Sequence, residues 1–319
     1  MVQSIMKMAL LSNELRLIKT LWGIESPIST KLLQSIKEEG YYGIEVIRLA
    51  WLFDKDLLVN SLNEAGLAVV CQIHTAGGYI DNGDYVYCGS YDVTSHKENF
   101  RKQLRECIEL IGLVQKGGFI NVHAGVDAWS NEEAKEFLEF CLTEIQDTAP
   151  PDIIVTFETH RQRLFGNPFQ TRDLLSFLSS TLPISSKLKL NADLSHWYCS
   201  CERVFNAKDD RDRWWPDLLS KISQRCEYIH ARFGWAQGPQ MADPSAVECE
   251  TERNLQIDVW KTLILEREDK SVVYMSPEYG PPPYMPIHPH SQEPVASLPD
   301  AVSYTKTVLE ELFQSIQTP

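Results

Sequence analysis

The sequence predicts an α/β protein built as a closed (β/α)8 barrel, and three observations lead there. Short apolar runs of strand length alternate with longer stretches of helical periodicity, there are eight of each, and 319 residues suit one such barrel. An open doubly wound sheet would want a glycine-rich turn after the first strand, and LWGIESP at 21–27 is no phosphate fingerprint.

The strands are read in order as RLIKTLW (16–22), YGIEVIR (42–48), LAVVCQIHT (67–75), GFINVHA (118–124), DIIVTFET (152–159), KLKLNAD (187–193), EYIHARF (227–233) and SVVYMSPE (271–278). Each is short and apolar, and most are rich in β-branched residues, as strands buried on both faces require. Helical spacing of apolar residues fills the gaps at 29–39, 54–65, 95–115, 131–146, 170–180, 211–223, 246–266 and 298–315. Ser130 with Glu133 spells a capping box, and Thr94 with Lys97 a weaker cap. Residues 1–319 are read as one domain. Three segments exceed ordinary loop length: 76–93, 234–246 and the proline-rich 279–297. All three follow a strand, which assigns them to one face of the barrel.

Composition narrows the function classes. A hydrophobic fraction of 43% and a charged fraction of 23% describe a soluble chain with a large core. A net charge of −14 disfavours stable nucleic-acid binding and suits a soluble cytoplasmic protein. Eight cysteines lie scattered without a disulfide framework, and Cys199-Ser-Cys201 has no second pair to make a zinc knuckle, so a reducing compartment is expected. The first residues lack a signal-peptide core, and no run of 18 apolar residues exists to span a membrane.

The stretch IIVTFETHRQR, 153–163, ends an apolar strand in carboxylate, hydroxyl, imidazole and guanidinium groups. Side chains alternate along a strand, so Thr156, Glu158 and His160 share the face toward the barrel axis. The same parity pairs Gln72 with His74, Asn121 with His123, Asn191 with Asp193, His230 with Arg232, and Ser276 with Glu278. Burying such groups costs free energy unless they meet partners or a metal. Strand ends converge on one face of a barrel, and Glu158, Asp193, His230 and Glu278 would there surround one point. Three carboxylates and one imidazole suit a divalent cation: manganese, magnesium or cobalt, with zinc also acceptable. Singly, each has a plainer explanation: Glu158 could pair with Arg161 or Arg163, Asp193 could cap the next turn, and His230 could be a satisfied core histidine. Glu45 is read as a partner for Arg48, His96 as a solvated residue at a helix start, and His288 and His290 as surface residues. Trp22, Trp235 and Tyr279 could stack on a sugar ring or pack the rim.

At ETHR (158–161), DLSH (193–196), HAR (230–232) and PEYGPPPY (277–284) the chain resembles the xylose isomerase-like TIM barrel superfamily, from KTLWGIE to the last helix. This group spans sugar isomerases, ketose epimerases, inosose and dehydroshikimate dehydratases and abasic-site endonucleases. The resemblance implies that Glu158, Asp193, His230 and Glu278 hold the metal, that His196 and Arg232 contact the substrate, and that His74 and His123 stand around the metal. The endonuclease branch adds an Asp-x-His pair after the seventh strand, which GWAQGPQMADP at 234–244 lacks. The resemblance also suggests dimers or tetramers.

The expected activity is isomerisation or epimerisation of a small polyhydroxy carbonyl compound by proton transfer next to the carbonyl, through a metal-stabilised enediolate. Glu158 and Glu278 are the expected proton carriers, one on each side of the substrate. His74, His123, His160, His196, Arg232 and Trp22 are the expected substrate contacts. A dehydratase of inosose or dehydroshikimate type is the alternative. A hydride-shift isomerase ranks lower, for want of a lysine at an inward strand end. A non-catalytic sugar-binding barrel and an abasic-site endonuclease rank below the dehydratase.

Overall fold

The computed structural model of the chain describes residues 14–23, 28–48, 54–76, 78–81, 84–87 and 91–317. All eight expected strands form: β1 (Glu14–Thr20), β2 (Gly43–Val46), β3 (Ala68–His74), β6 (Gly118–His123), β7 (Val155–Glu158), β8 (Lys189–Ala192), β9 (Cys226–His230) and β10 (Val272–Ser276). Two short strands in the segment after β3, β4 (Gly78–Asp81) and β5 (Asp84–Tyr87), pair with each other as an antiparallel hairpin. The strand order closes on itself as β1-β10-β9-β8-β7-β6-β3-β2, a parallel (β/α)8 TIM barrel.

The chain divides into two compact units, with the boundaries at Leu17/Ile18 inside β1 and Asn191/Ala192 inside β8. In the Ile18–Asn191 unit the register sets Glu45 beside Val70, His74 beside His123, Asn121 beside Thr156 and Glu158 beside Asn191. In the other unit, Leu17 of β1 pairs with Met275, and Ser276 pairs with His230. Residues Ala68 to Ile73 are all buried, which is why β3 reads as a near-continuous apolar run.

The helices follow their strands: α1 (Thr30–Glu38), α2 (Lys55–Ala65), α3 (Val93–Leu113), α4 (Asn131–Thr148), α5 (Pro168–Thr181), α6 (Ser195–Ser200), α7 (Trp215–Ser223), α8 (Glu250–Glu266) and α9 (Leu298–Gln317). The capping box of α4 is present: Ser130 Oγ accepts from Glu133 N at 3.2 Å, and Glu133 Oε2 accepts from Ser130 N at 2.8 Å. Helix α3 is capped two residues earlier than expected, by Asp92, whose carboxylate accepts from Ser95 N at 2.8 Å. An aspartate is the stronger cap, and it displaces the expected Thr94. His96, in the first turn of α3, faces inward. It is fully buried, with Nδ1 2.7 Å from Thr75 Oγ1 and its ring edge-on to Trp129, so it is no solvated residue. Helix α6, directly after Asp193-Leu194, was not expected, because six residues are too few to show a helical period.

The seven described cysteines are all free, while Cys88 lies outside the described residues. So do the first 13 residues, on which the reading of the N-terminus rests, and residues 77, 82–83 and 88–90 of the 76–93 loop. Among the described residues no helix is long and apolar enough to cross a membrane.

Candidate active site

In the Ile18–Asn191 unit, side-chain parity brings the expected polar groups together. Glu158 is the last residue of β7 and only 1% exposed. Its Oε2 accepts from Asn121 Nδ2 at 2.6 Å and lies 3.1 Å from His123 Nε2. Asn191 Nδ2 approaches the same oxygen at 3.4 Å. The second hydrogen of the Asn121 amide goes to Glu45 Oε1 at 3.1 Å, which also accepts from Gln72 Nε2 at 3.0 Å. Glu45 therefore belongs to the floor of this cluster. Arg48 pairs with Glu106 instead, through two bonds of 2.7 and 2.8 Å.

Three histidines form a wall beside Glu158. The His74 and His123 rings stack at 4.4 Å and 14°, and His160 lies 5.0 Å from His123 at a tilt. The His160 ring Nδ1 is 2.7 Å from Arg161 O. Burial, reinforced by neighbouring His123 and Arg163, holds His74 well below the usual imidazole range. Burial and then His123 bring His160 down to about 3. Both are neutral at pH 7, the state in which an imidazole can coordinate a metal. His123, Glu158 and His160 each offer a ligand atom, and these atoms all lie within 4.8 Å of one another. The buried carboxylate with two imidazoles fits a divalent cation, a role that the sequence reading assigned here to Glu158 and not to His123 or His160. Trp22 is half-buried two residues beyond β1, with its backbone N–H donating to Thr20 Oγ1 at 3.2 Å.

The other unit carries a second polar cluster. Asp193 is fully buried, one residue beyond β8. Its Oδ1 accepts from Ser195 N at 3.1 Å and Ser195 Oγ at 2.5 Å, and its Oδ2 accepts from Arg232 Nη2 at 2.5 Å. His196 Nε2 lies 3.5 Å from Asp193 Oδ2 and 2.9 Å from Arg232 Nη2. His230, the last residue of β9, sets Nδ1 3.2 Å from Glu278 Oε2. Gly234 lets this cluster close up, because a Cβ there would stand 2.7 Å from that of Ser195. Tyr279, taken from the sequence as a stacking or rim residue, is fully buried. Its hydroxyl accepts from Phe233 N at 3.3 Å and Thr305 Oγ1 at 3.1 Å. Trp235 is 43% exposed, and His288 and His290 lie on the surface as expected.

Trp22 apart, the expected site residues thus fall into two groups: His74, His123, Glu158 and His160 in one unit, with His74 and His160 half-buried, and the buried Asp193, His196, His230, Arg232 and Glu278 in the other. Glu45, Asn121 and Ser195 join them. Parity already placed Asn121 on the inward face. Glu45 offered only its mid-strand position, and Ser195 gave no signal.

No family model matches the sequence, and no curated protein matches it. Solved structures do. A xylose isomerase-like TIM barrel protein from Mycobacterium smegmatis, in complex with magnesium, aligns with TM-score 0.51 at 13% identity over 91% of this chain and 89% of that one. The fold is that of the xylose isomerase-like barrels. D-Psicose 3-epimerase, determined in the presence of D-fructose, aligns with this barrel at TM-score 0.51 and 10% identity over 95% of this chain and 99% of that one. The 3-keto-D-glucoside 4-epimerase YcjR of E. coli aligns at TM-score 0.50 and 13% identity over 94% and 100%. At such identities the likeness concerns the barrel and leaves the chemistry to the side chains described above.

Proposed function

We propose that this xylose isomerase-like barrel is a divalent-metal-dependent isomerase or epimerase of a small sugar or sugar derivative. The observation that carries this reading is a repeated pairing. In each unit a buried carboxylate at a strand's C-terminal end stands against an imidazole, Glu158 with His123 at 3.1 Å and Glu278 with His230 at 3.2 Å. Glu158, Asp193, His230 and Glu278 end, or directly follow, four barrel strands that are consecutive in strand order, β7 to β10. That placement supports assigning the metal to these four, with His123 and His160 as the competing donors to an ion at Glu158. The epimerases named above lend the reading their fold.

When bound, the ion would supply polarisation of a substrate carbonyl. The chain's own residues do the rest. On this reading Glu158, held as a carboxylate acceptor by Asn121, takes a proton from carbon, and Glu278 returns one. Return to the same carbon inverts it, and return to the adjacent carbon isomerises aldose and ketose. The neutral imidazoles of His74 and His160 offer hydrogen bonds to substrate hydroxyls without adding charge.

The test is turnover of a panel of ketoses and aldoses in deuterated water, before and after removal of metal with a chelator. The expected result is deuterium at the carbon beside the carbonyl, lost on chelation, with kcat lowered at least a hundredfold in E158Q and in E278Q. Conversion without deuterium uptake, and unaffected by E158Q, would overturn the proposal. A conjugated product with new ultraviolet absorbance would replace it by the dehydratase reading.

A further inference from the structure

Arg232, an expected substrate contact, has surroundings that argue for a different task. Its side chain is buried among protein groups and only 1% exposed. The guanidinium donates from Nη2 to Asp193 Oδ2 at 2.5 Å and to His196 Nε2 at 2.9 Å. Its Nη1 stands 3.3 Å from Glu278 Oε2, and its Nε donates to Ser195 Oγ at 3.2 Å. The Tyr284 ring lies over it, 5.3 Å from centroid to guanidinium carbon. Because arginine only donates, His196 must accept through Nε2 and is neutral, with its lone pair aimed at the guanidinium. Two carboxylates and a neutral imidazole around one positive centre are the donor set a divalent cation takes. Here that centre is a guanidinium, which stays charged at any working pH and cannot dissociate from the chain.

We infer that Arg232 is a built-in cation: it fills a metal position made by Asp193, His196 and Glu278 and keeps a second ion out of the site. This rests on the proposed function only in taking Asp193 and Glu278 as ligands of the first ion. The guanidinium donates to Asp193 Oδ2 and stands beside Glu278 Oε2, while Asp193 Oδ1 accepts from Ser195. His196, on this view, serves Arg232 and not the metal. The positive charge stays fixed beside the ligands whether or not metal is present, so the buried carboxylates are never left uncompensated.

The test is metal content after chelation, reloading with manganese and removal of excess ion, measured by elemental analysis per folded chain, with circular dichroism to verify folding. R232M, which keeps the length and removes the charge, is expected to hold one ion per chain more than the wild type. R232K, which keeps a charge, is expected to match the wild type. The double variant R232M/H196A is expected to lose the gain, since the vacated position would have lost its imidazole. H196A alone keeps both carboxylate partners of the guanidinium and is expected to leave the wild-type content unchanged. A folded R232M that holds no extra ion would overturn the inference, as would a gain that survives H196A. If R232M does not fold, a fall in metal content in H196A alone would overturn it, by making His196 a ligand. A wild type that holds no ion counts against the isomerase proposal, while the difference between R232M and wild type still decides the role of Arg232.

Discussion

Asn121 is the residue whose replacement tests the architecture of the site most sharply. Its side-chain amide has two hydrogens, and each goes to a buried carboxylate: Glu158 at 2.6 Å and Glu45 at 3.1 Å. Its Oδ1 accepts from Thr156 Oγ1 at 3.3 Å, and the residue is fully buried. In N121D the shape is kept and the donor nitrogen becomes an oxygen. Two hydrogen bonds to charged groups are lost, worth about 1.5–3 kcal/mol each, so the deficit at neutral pH is about 3–6 kcal/mol. Oxygens that close must share a proton. The folded variant therefore binds more protons than its unfolded chain once pH rises above the ordinary carboxylate range. Where the folded state holds the excess proton, stability falls as pH rises, by up to about 1.4 kcal/mol per pH unit for one proton. The deficit of N121D relative to wild type should therefore be largest near pH 8 and shrink toward pH 5. The assay is urea unfolding of metal-free protein, followed by tryptophan fluorescence, at three pH values. A deficit below about 1 kcal/mol at pH 8, or one that grows toward pH 5, would refute the claim that this amide holds two carboxylates apart.

Two further predictions concern the frame around the site. G234A would push its new Cβ against Ser195, 2.7 Å from the Ser195 Cβ and 2.9 Å from its Cα, so Asp193 would lose the alignment that Ser195 imposes. The expected loss in stability is about 1–3 kcal/mol, measured by thermal melting, with metal affinity weakened alongside. S130A would remove the cap of α4 and lower stability by about 1 kcal/mol in urea unfolding. The hydrogen bonds from Ser130 hold the Glu133 carboxyl below its usual range. A carboxyl lowered in the fold stabilises above the ordinary carboxylate pKa, and the contribution fades as pH falls through that range. The penalty of S130A should accordingly shrink when the melts are repeated in acid.

The alternation of strand and helix was legible because each barrel strand writes its burial on both faces into a local apolar run, and each helix writes a 3.6-residue period. The inward parity of Asn121, His123, Glu158, Asp193, His230 and Glu278 was legible for the same reason, since it depends only on neighbours two residues away. The hairpin within 76–93 and helix α6 escaped because neither carries the apolar run of a buried barrel strand or the repeated period of a long helix.

What sequence alone determined, then, is the barrel and the list of polar groups its strand ends carry. Which group meets which was decided only by tertiary structure. Glu45 finds Asn121, 76 residues on, and not Arg48 three residues on. Arg232 reaches back 39 residues to Asp193, and His96 turns inward to Thr75. The physical reason is that these pairings depend on parallel register and on where one strand end stands beside the next. Both are set by packing of the whole sheet, and no local pattern of residues encodes them.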